Sequence, residues 1–476
     1  MIAPGLSASV ASRMRTDTSL SRRLKSQAPR AGLPASRPSA CSAQETHAAA
    51  TACVARTCLA MFLLLHGWMG SSQSTSSHAV ISPTSQTESK STRDPRGPGY
   101  AGDQVCVSCH SNQSDSYLQT AHHLTSSLPT KNSILGSFEE PASTLKIQDP
   151  APAIGDPGLT YKMEQKGDRF FQTAITGFEG HLQSRMESID IVIGSGIRGQ
   201  SFLYWNGNSL YELPVSYWSD GHQWINSPGY RNGPPNFQRQ AIPRCLECHV
   251  SYIKLLSPGP AANRYDKTTL LTGISCETCH GPGSAHAAIR RAEVSGSPKS
   301  PGSEVLNPAA FSRDRQIDLC ALCHSGAQQD LLAPAFSFTP GTALDSYLRP
   351  IAVAEDAHPD VHANQVGLLK KSRCFAGSRT MTCSTCHQVH APEHPAASYS
   401  EKCLGCHKAE RCGMAKKLGP KIKSVCIDCH MPLEQTQAIV SQTGDKVIRT
   451  TMRTHWIRVY RDENTGSASE LIKHLD

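Results

Sequence analysis

A pentapeptide of the form Cys-x-x-Cys-His occurs seven times in this chain of 476 residues. The repeats use fourteen of its nineteen cysteines. A chain that repeats the Cys-x-x-Cys-His motif this often must build its interior around the group that the motif binds. The motif cysteines are Cys106, Cys109, Cys245, Cys248, Cys276, Cys279, Cys320, Cys323, Cys383, Cys386, Cys403, Cys406, Cys426 and Cys429. The histidines that follow them are His110, His249, His280, His324, His387, His407 and His430.

The motif is typical of covalent haem attachment. Its two thiols form thioethers with the haem vinyl groups, and the adjacent histidine reaches the iron as the proximal ligand. Zinc knuckles and redox-active cysteine pairs are the alternatives. Zinc does not require a histidine after every second cysteine, and a redox pair normally occurs once on a βαβ unit. The repeats therefore predict seven copies of covalently bound haem c, with the motif cysteines as thioether sites and the motif histidines as proximal ligands.

Seven irons also need ligands on their distal side. Eleven histidines after Ala79 lie outside the motifs, so the supply exceeds the demand. His286 and His390 each follow a motif closely, which suits them to ligate a neighbouring haem. The candidate distal ligands are His122, His123, His286, His358, His362, His390 and His455. We expect His181, His222, His394 and His474 to be bystanders, and the sequence identifies no catalytic residue.

The excess positive charge lies near the N terminus. The net charge is +8, and residues 1–98 hold eleven Lys or Arg against four acidic residues, which leaves about +1 for the rest. Nucleic acid is therefore not an expected partner. Residues 59–70 form a short apolar run after Arg56, too short to span a bilayer comfortably. This pattern predicts a signal peptide cleaved after Ala79 and a periplasmic or otherwise exported protein. If cleavage fails, the same segment would be an N-terminal membrane anchor.

Composition and motif spacing predict six segments. They are a leader at 1–79, a Ser/Thr-rich linker at 80–98, a first haem-binding segment at 99–150, a β-hairpin insertion at 151–240, a six-haem domain at 241–460 and a tail at 461–476. Alternating apolar residues on either side of residues 166–168 and 206–208 predict two hairpins, within an antiparallel unit at about 155–225. Residues 241–460 have too few apolar side chains for a core of their own, so we expect haem to supply one.

Four stretches resemble the multihaem cytochrome c superfamily, which includes tetrahaem electron carriers, hydroxylamine oxidoreductase and pentahaem nitrite reductase. They are residues 100–106, 275–286, 383–390 and 426–432. The resemblance implies a mainly α-helical fold with extensive irregular loops around stacked haems, to which the β insertion is added. It also implies that most irons carry two histidines. The Cys-x-x-Cys-Lys catalytic motif of the nitrite reductases does not occur in this sequence.

The sequence predicts an exported seven-haem cytochrome that transfers electrons between redox proteins, with a quinol-linked or small cytochrome donor and a terminal acceptor. The alternative is an oxidoreductase in which one haem keeps an open axial position and acts on a small nitrogen or sulfur compound. A structural subunit of a larger complex is a third possibility. Cys374 and Cys412 remain unassigned, and they could pair or be free thiols.

Overall fold

Antiparallel strands dominate the long stretch between the first two motifs. The computed structural model describes residues 94–147, 158–178, 180–259, 262–298, 305–326, 329–354, 357–359, 364–436 and 440–460. All of them belong to one unit, Thr87–Asp476. Its strands are β1 Ser126–Ser127, β2 Thr144–Ile147, β3 Leu159–Lys166, β4 Arg169–Thr176, β5 Gln183–Ser188, β6 Ile191–Ile193, β7 Gly199–Asn206, β8 Ser209–Glu212, β9 Val215–Trp218, β10 Gln223–Asn226, β11 Arg239–Gln240, β12 Val250–Leu255, β13 Tyr265–Thr272, β14 Leu433–Gln435, β15 Ser441–Thr443, β16 Lys446–Ile448 and β17 Thr451–Arg453.

Two sheets contain most of these strands. The larger has the order β1-β6-β7-β8-β11, with β9 paired to β7 and β10 paired to β9, and the smaller has the order β2-β3-β4-β5. Three further pairs, β12 with β13, β14 with β17 and β15 with β16, are separate hairpins or ribbons. Every strand pairing is antiparallel in the described residues, so short turns connect most neighbours.

Both predicted hairpins are confirmed. β3 pairs with β4 up to Lys166 and Arg169, and β7 pairs with β8 up to Asn206 and Ser209. Gly167 and Gly207 turn the chain with φ angles of 62° and 58°, which glycine adopts without steric cost.

The larger sheet is buried on both faces because successive side chains of a strand point to opposite sides. Phe202 and Tyr204 of β7 pack into a core shared with the smaller sheet. Leu203, between them, joins a second core that contains Leu246 of the second motif. Burying one such side chain contributes roughly 1.5–3 kcal/mol. The sheet therefore forms a rigid support for the second motif.

The helices are short. They are α1 Asp103–Val107, α2 Ser111–Tyr117, α3 Pro243–Leu246, α4 Cys276–His280, α5 Ser284–Val294, α6 Arg313–His324, α7 Gln365–Lys370, α8 Arg373–Gly377, α9 Ala396–Leu404, α10 Ala415–Leu418 and α11 Cys426–His430. Single 3-10 turns lie at His123–Thr125, Pro308–Ala310, Leu344–Ser346, Cys383–Thr385, Ala409–Arg411 and Gly419–Lys423.

The prediction of a mainly α-helical fold is wrong. The described residues are about 28% helix and about 25% strand. A motif needs only one helical turn, and α4 and α11 each end at the motif histidine after five residues. The expectation of a mostly helical fold came from the resemblance, whereas the strands between the first and third motifs extend well beyond the predicted insertion.

Several predictions fall on residues that the structure does not describe. The leader with its signal peptide, the linker up to residue 93, the C-terminal tail, His362 and His474 all lie outside the described residues. Within the described part of the chain, no helix combines the length and apolar character that a membrane span requires.

Candidate haem centre

All seven Cys-x-x-Cys-His motifs line a single continuous cavity. Both cysteines and the histidine of every motif face it, and its volume is about 3880 Å³. Divided among seven motifs, this is about 550 Å³ for each, within the range of about 300–1,000 Å³ for one ligand pocket. The cavity thus has room for a large cofactor at every motif.

The motif backbone places its three functional side chains on one side of a turn. The amide of His110 donates to the Cys106 carbonyl at 3.0 Å, and His387 and His407 make the same bond to Cys383 and Cys403 at 2.9 Å. Residues i and i+4 of such a turn lie on the same face. The first thiol and the histidine can therefore reach the same cofactor.

Four motif histidines stand opposite a histidine from outside the motifs. In three pairs the rings are nearly parallel: His110 and His286 at 6.4 Å between ring centroids and 22°, His280 and His390 at 6.0 Å and 17°, and His387 and His455 at 6.0 Å and 18°. In the fourth pair, His324 and His122 lie 6.0 Å apart with planes at 85°.

This spacing fits an iron between the two rings. A transition metal bonds imidazole nitrogen at about 2.0–2.1 Å, and the nitrogen lies roughly 1 Å from its ring centre, so two axial imidazoles place their centroids about 6 Å apart. Haem supplies the four other nitrogens itself. Consistently, no group of three or more His, Cys, Asp or Glu that could hold a bare metal ion occurs among the described residues.

Each pair takes its second histidine from beyond another motif. His286 lies in the first turn of α5, just after the third motif, and faces the first. His390 follows the fifth motif and faces the third, and His122 follows the first and faces the fourth. Each pair therefore combines the histidine of one motif with a histidine that follows a different motif, and we call these four pairs the exchanged histidine pairs.

Hydrogen bonds orient three motif histidines. The Nδ1 atom of His280 donates to the Leu306 carbonyl at 2.8 Å, and that of His430 donates to the Arg458 carbonyl at 2.9 Å. The Nδ1 atom of His249 shares a hydrogen bond of 2.9 Å with the Thr125 hydroxyl. A bond at Nδ1 fixes the ring and leaves Nε2 for a metal.

The protein environment favours the neutral form of four of the paired rings, whereas the hydrogen bond with Glu393 raises the pKa of His387. Burial lowers the pKa of His324 to about 4, helped by the nearby His122, and burial also lowers the pKa of His455 to about 4. Burial lowers the pKa of His122 and His390 as well. A neutral imidazole has the lone pair that a metal requires, so these rings need no deprotonation near neutral pH.

The remaining candidate distal ligands lie elsewhere. The ring of His123 packs against Tyr117, with 6.0 Å between ring centroids. His358 is 56% exposed, and its Nδ1 bonds Glu434 at 2.9 Å. His394, expected to be a bystander, lines the cavity. Nothing in the described residues places another histidine ring against His407 or His430.

Comparison with known proteins supports the cofactor. Residues 228–281, which include the second and third motifs, match the family model of cytochrome c554 and c-prime. The chain is 22% identical over 209 residues to the multiheme cytochrome MtrA of Shewanella baltica, covering 41% of this chain and 47% of MtrA. It is 22% identical over 182 residues to the C-type polyheme cytochrome OmcC of Geobacter sulfurreducens, covering 37% of this chain and 21% of OmcC. The chain is a multihaem c-type cytochrome.

The matched regions span less than half the length of either relative. Among solved structures, the cytochrome is similar to the outer cell wall cytochrome OcwA, with a TM-score of 0.48 and 18% identity over 79% of this chain and 84% of OcwA.

Segments of neighbouring motifs contact each other. The Cys276 amide donates to the Asp103 carboxylate, three residues before Cys106, at 3.0 Å, and the Cys323 Sγ atom lies 3.8 Å from the Glu247 carbonyl oxygen. Cys323 and Cys383 pack against the same apolar cluster. These contacts join the first motif to the third, the second to the fourth and the fourth to the fifth.

Sequence reasoning missed two buried carboxylates inside motifs. Glu277 accepts hydrogen bonds from the amides of Ala101, Gly102 and Gly283 at 2.7–3.0 Å and pairs with Arg96 at 2.7 Å. Glu247 accepts from the Phe336 amide at 2.7 Å and from the Tyr347 hydroxyl, and its other oxygen lies 3.6 Å from Arg244. The sequence feature that could have identified both carboxylates is an acidic residue between the two cysteines of a motif.

Proposed function

We propose that this cytochrome holds seven haems, one at each motif, and conducts electrons along them between two redox partners outside the cytoplasm. Haem c supplies reversible one-electron redox chemistry. The observation that carries the proposal is the single cavity shared by all seven motifs. A stand-alone reaction centre needs one pocket, whereas a path for electrons needs a continuous series of close sites.

Contacts between motifs support a continuous path. The three contacts join the first five motifs into two groups, the first with the third and the second with the fourth and fifth. The groups adjoin because His122, which follows the first motif, stands opposite His324 of the fourth. The amide of Cys426 in the seventh motif donates to Ser400 at 3.1 Å, and Ser400 lies on α9, the helix that carries Cys403 of the sixth motif.

The protein itself supports fast and reversible transfer. Exchanged histidine pairs tie four of the motifs to distant segments, so these ligands have little freedom to move when the charge at the site changes. Burial around His324 and His455 keeps water away from these sites. Axial ligands, hydrogen bonding and burial are the means by which a protein sets haem potentials.

The partners and the compartment follow from the same proposal. A quinol-linked donor or small cytochrome would deliver electrons at one end of the array, and a terminal acceptor would remove them at the other. Export is supported by the apolar segment at residues 59–70 and by covalent haem attachment. Cell fractionation and N-terminal sequencing of the mature protein test it. Recovery of the full-length chain in the cytoplasm would contradict it.

Mass spectrometry and electron paramagnetic resonance of the ferric protein test the haem count and ligation. We expect seven covalently attached haems and low-spin signals only, together with reversible reduction by dithionite and reoxidation by ferricyanide. Fewer than seven haems would contradict one haem per motif. A stoichiometric high-spin signal would identify an open axial position and favour the oxidoreductase alternative.

A further inference from the structure

Four lysines cluster between the sixth and seventh motifs. Lys416 and Lys417 lie on α10, and Lys421 and Lys423 lie on the 3-10 turn Gly419–Lys423 that follows. All four are exposed. No ion pair joins any of them to an acidic group within the described residues. We call these four residues the lysine patch.

The opposite side of the same segment forms a wall of the haem cavity. Leu418 and Ile422 are 8% and 9% exposed and pack with Val425, Cys412 and Met414. Leu418 and Ile422 line the cavity together with Cys429 of the seventh motif. A helical segment with its side chains is about 10–12 Å thick. The lysine patch therefore lies within about one helix thickness of the cavity.

The charge is local to this end of the motif array. Residues 400–430 contain seven Lys or Arg and three Asp or Glu, a balance of +4, although all residues after 98 together carry only about +1. Residues 97–121, which surround the first motif, contain Asp103 and Asp115 and no Lys or Arg. The chain segments around the first and sixth motifs therefore carry net charges of opposite sign.

The lysine patch also lies close to two motifs along the chain. It begins nine residues after His407 of the sixth motif and ends three residues before Cys426 of the seventh. An electron can leave or enter only where a partner approaches a haem edge closely. A partner bound at the lysine patch would therefore lie next to the sixth and seventh motifs.

We propose that the lysine patch is the docking site of an acidic redox protein that exchanges electrons with the cytochrome at the sixth and seventh motifs. The inference rests on the proposed function, to which it adds the chemistry of one partner and its place of binding. Scattered surface lysines are usually only solvated. Here four unpaired cations lie within eight residues on the outer face of a cavity wall, where complementary charge accelerates association and orients the partner.

The test uses a plant-type [2Fe–2S] ferredoxin as an acidic one-electron probe. The variant K416E/K417E/K421E/K423E is compared with K131E/K146E/K254E/K267E, which makes the same charge change at four exposed lysines outside the cavity wall. Binding of oxidised ferredoxin is measured by calorimetry, and reduction of the haems by reduced ferredoxin is measured by stopped flow. Haem counting by mass spectrometry verifies both variants.

At low ionic strength we expect the patch variant to lose at least about tenfold in both affinity and second-order rate. The control variant should lose less than about threefold, and high salt should remove the difference between them. Equal losses in both variants would overturn the inference, as would an unchanged rate in the patch variant. Preferential binding of the wild type to phosphatidylglycerol vesicles, without salt-sensitive ferredoxin binding, would also overturn it in favour of a membrane surface.

A small-molecule control separates the two proposals. If dithionite and ferricyanide fail to cycle the haems of the wild type, the proposed electron-transfer function fails. If they cycle the haems in all three proteins and the two variants do not differ toward ferredoxin, only the docking site fails.

Discussion

The imidazole rings of His122 and His324 stand at 85° to each other with their centroids 6.0 Å apart. The other three histidine pairs have planes within 22° of parallel. This one crossed pair joins the segment after the first motif to the fourth motif. Crossed axial imidazoles give a more anisotropic low-spin ferric signal than parallel ones, so the pair is spectroscopically distinguishable.

Replacing His122 with alanine should remove one strongly anisotropic low-spin signal and produce one high-spin signal. The reason is that His324 would lose its opposite ligand. Electron paramagnetic resonance of the ferric protein measures the change. His123→Ala is the matched control because the His123 ring packs on Tyr117 and stands opposite no motif histidine in the described residues. If the two variants have the same spectrum, His122 is not a ligand.

Glu277→Gln should destabilise the folded protein by about 2–3 kcal/mol, because it removes the charge of one of the two buried carboxylates that pair with Arg96 and leaves only Asp94. The glutamine amide would also point a donor toward the amides of Ala101, Gly102 or Gly283, which are donors themselves. Chemical denaturation of the haem-loaded protein measures the loss. Glu187→Gln, which affects the more exposed pair with Arg185, should cost no more than about 1 kcal/mol. Equal losses would contradict the role of Glu277.

Stability should fall in acid partly through Asp94. Burial raises the pKa of Asp94, but hydrogen bonds from the Arg96 side chain and amide outweigh it and leave the pKa below its ordinary value. A lowered folded-state pKa adds stability above the unfolded pKa of about 4, and this stability is lost as pH falls toward the folded pKa. Denaturation curves between about pH 6 and pH 3 should therefore show a smaller acid loss for Asp94→Asn than for the wild type. Parallel pH profiles would rule this contribution out.

Gly273→Ala should cost more than Gly167→Ala. Both glycines have positive φ, 67° and 62°, so both substitutions carry a penalty of about 1–2 kcal/mol. A methyl group at Gly273 would also lie 2.1 Å from the His123 carbonyl, whereas at Gly167 nothing lies within 4 Å. Overpacking adds about 1–3 kcal/mol. The difference in unfolding free energy between the two variants tests this. Equal losses would show that the backbone at His123 can shift without a cost in free energy.

Without haem, the two main sheets should remain folded while the segments around the sixth and seventh motifs do not. The sheets share a large apolar core that includes Phe202 and Tyr204, but the buried cluster beside the seventh motif contains only Leu418, Ile422 and Val425. Hydrogen exchange on protein made in cells that cannot attach haem should show protected amides in β3 and β4 and unprotected amides in α9 and α11. Protection in α9 and α11 would contradict this dependence on the cofactor.

Local features were predictable from the sequence, and distant ones were not. The turns at Gly167 and Gly207 follow from a few adjacent residues, and so does the motif turn that brings Cys106 and His110 together. His358 and His455 looked alike in sequence, yet the structure places His358 on the surface with Glu434 and His455 opposite His387. Only tertiary packing separates them. The helical expectation failed because a haem core needs little regular structure from the segments between motifs.

The exchanged histidine pairs also limit how such a protein can change. Removing the segment after the third motif would take His286 away from the first, and removing the segment after the first would take His122 away from the fourth. The first or the third repeat therefore cannot be deleted from this chain without also removing a histidine that faces another motif. A shortened or rearranged version that keeps these pairs would have to alter several repeats together.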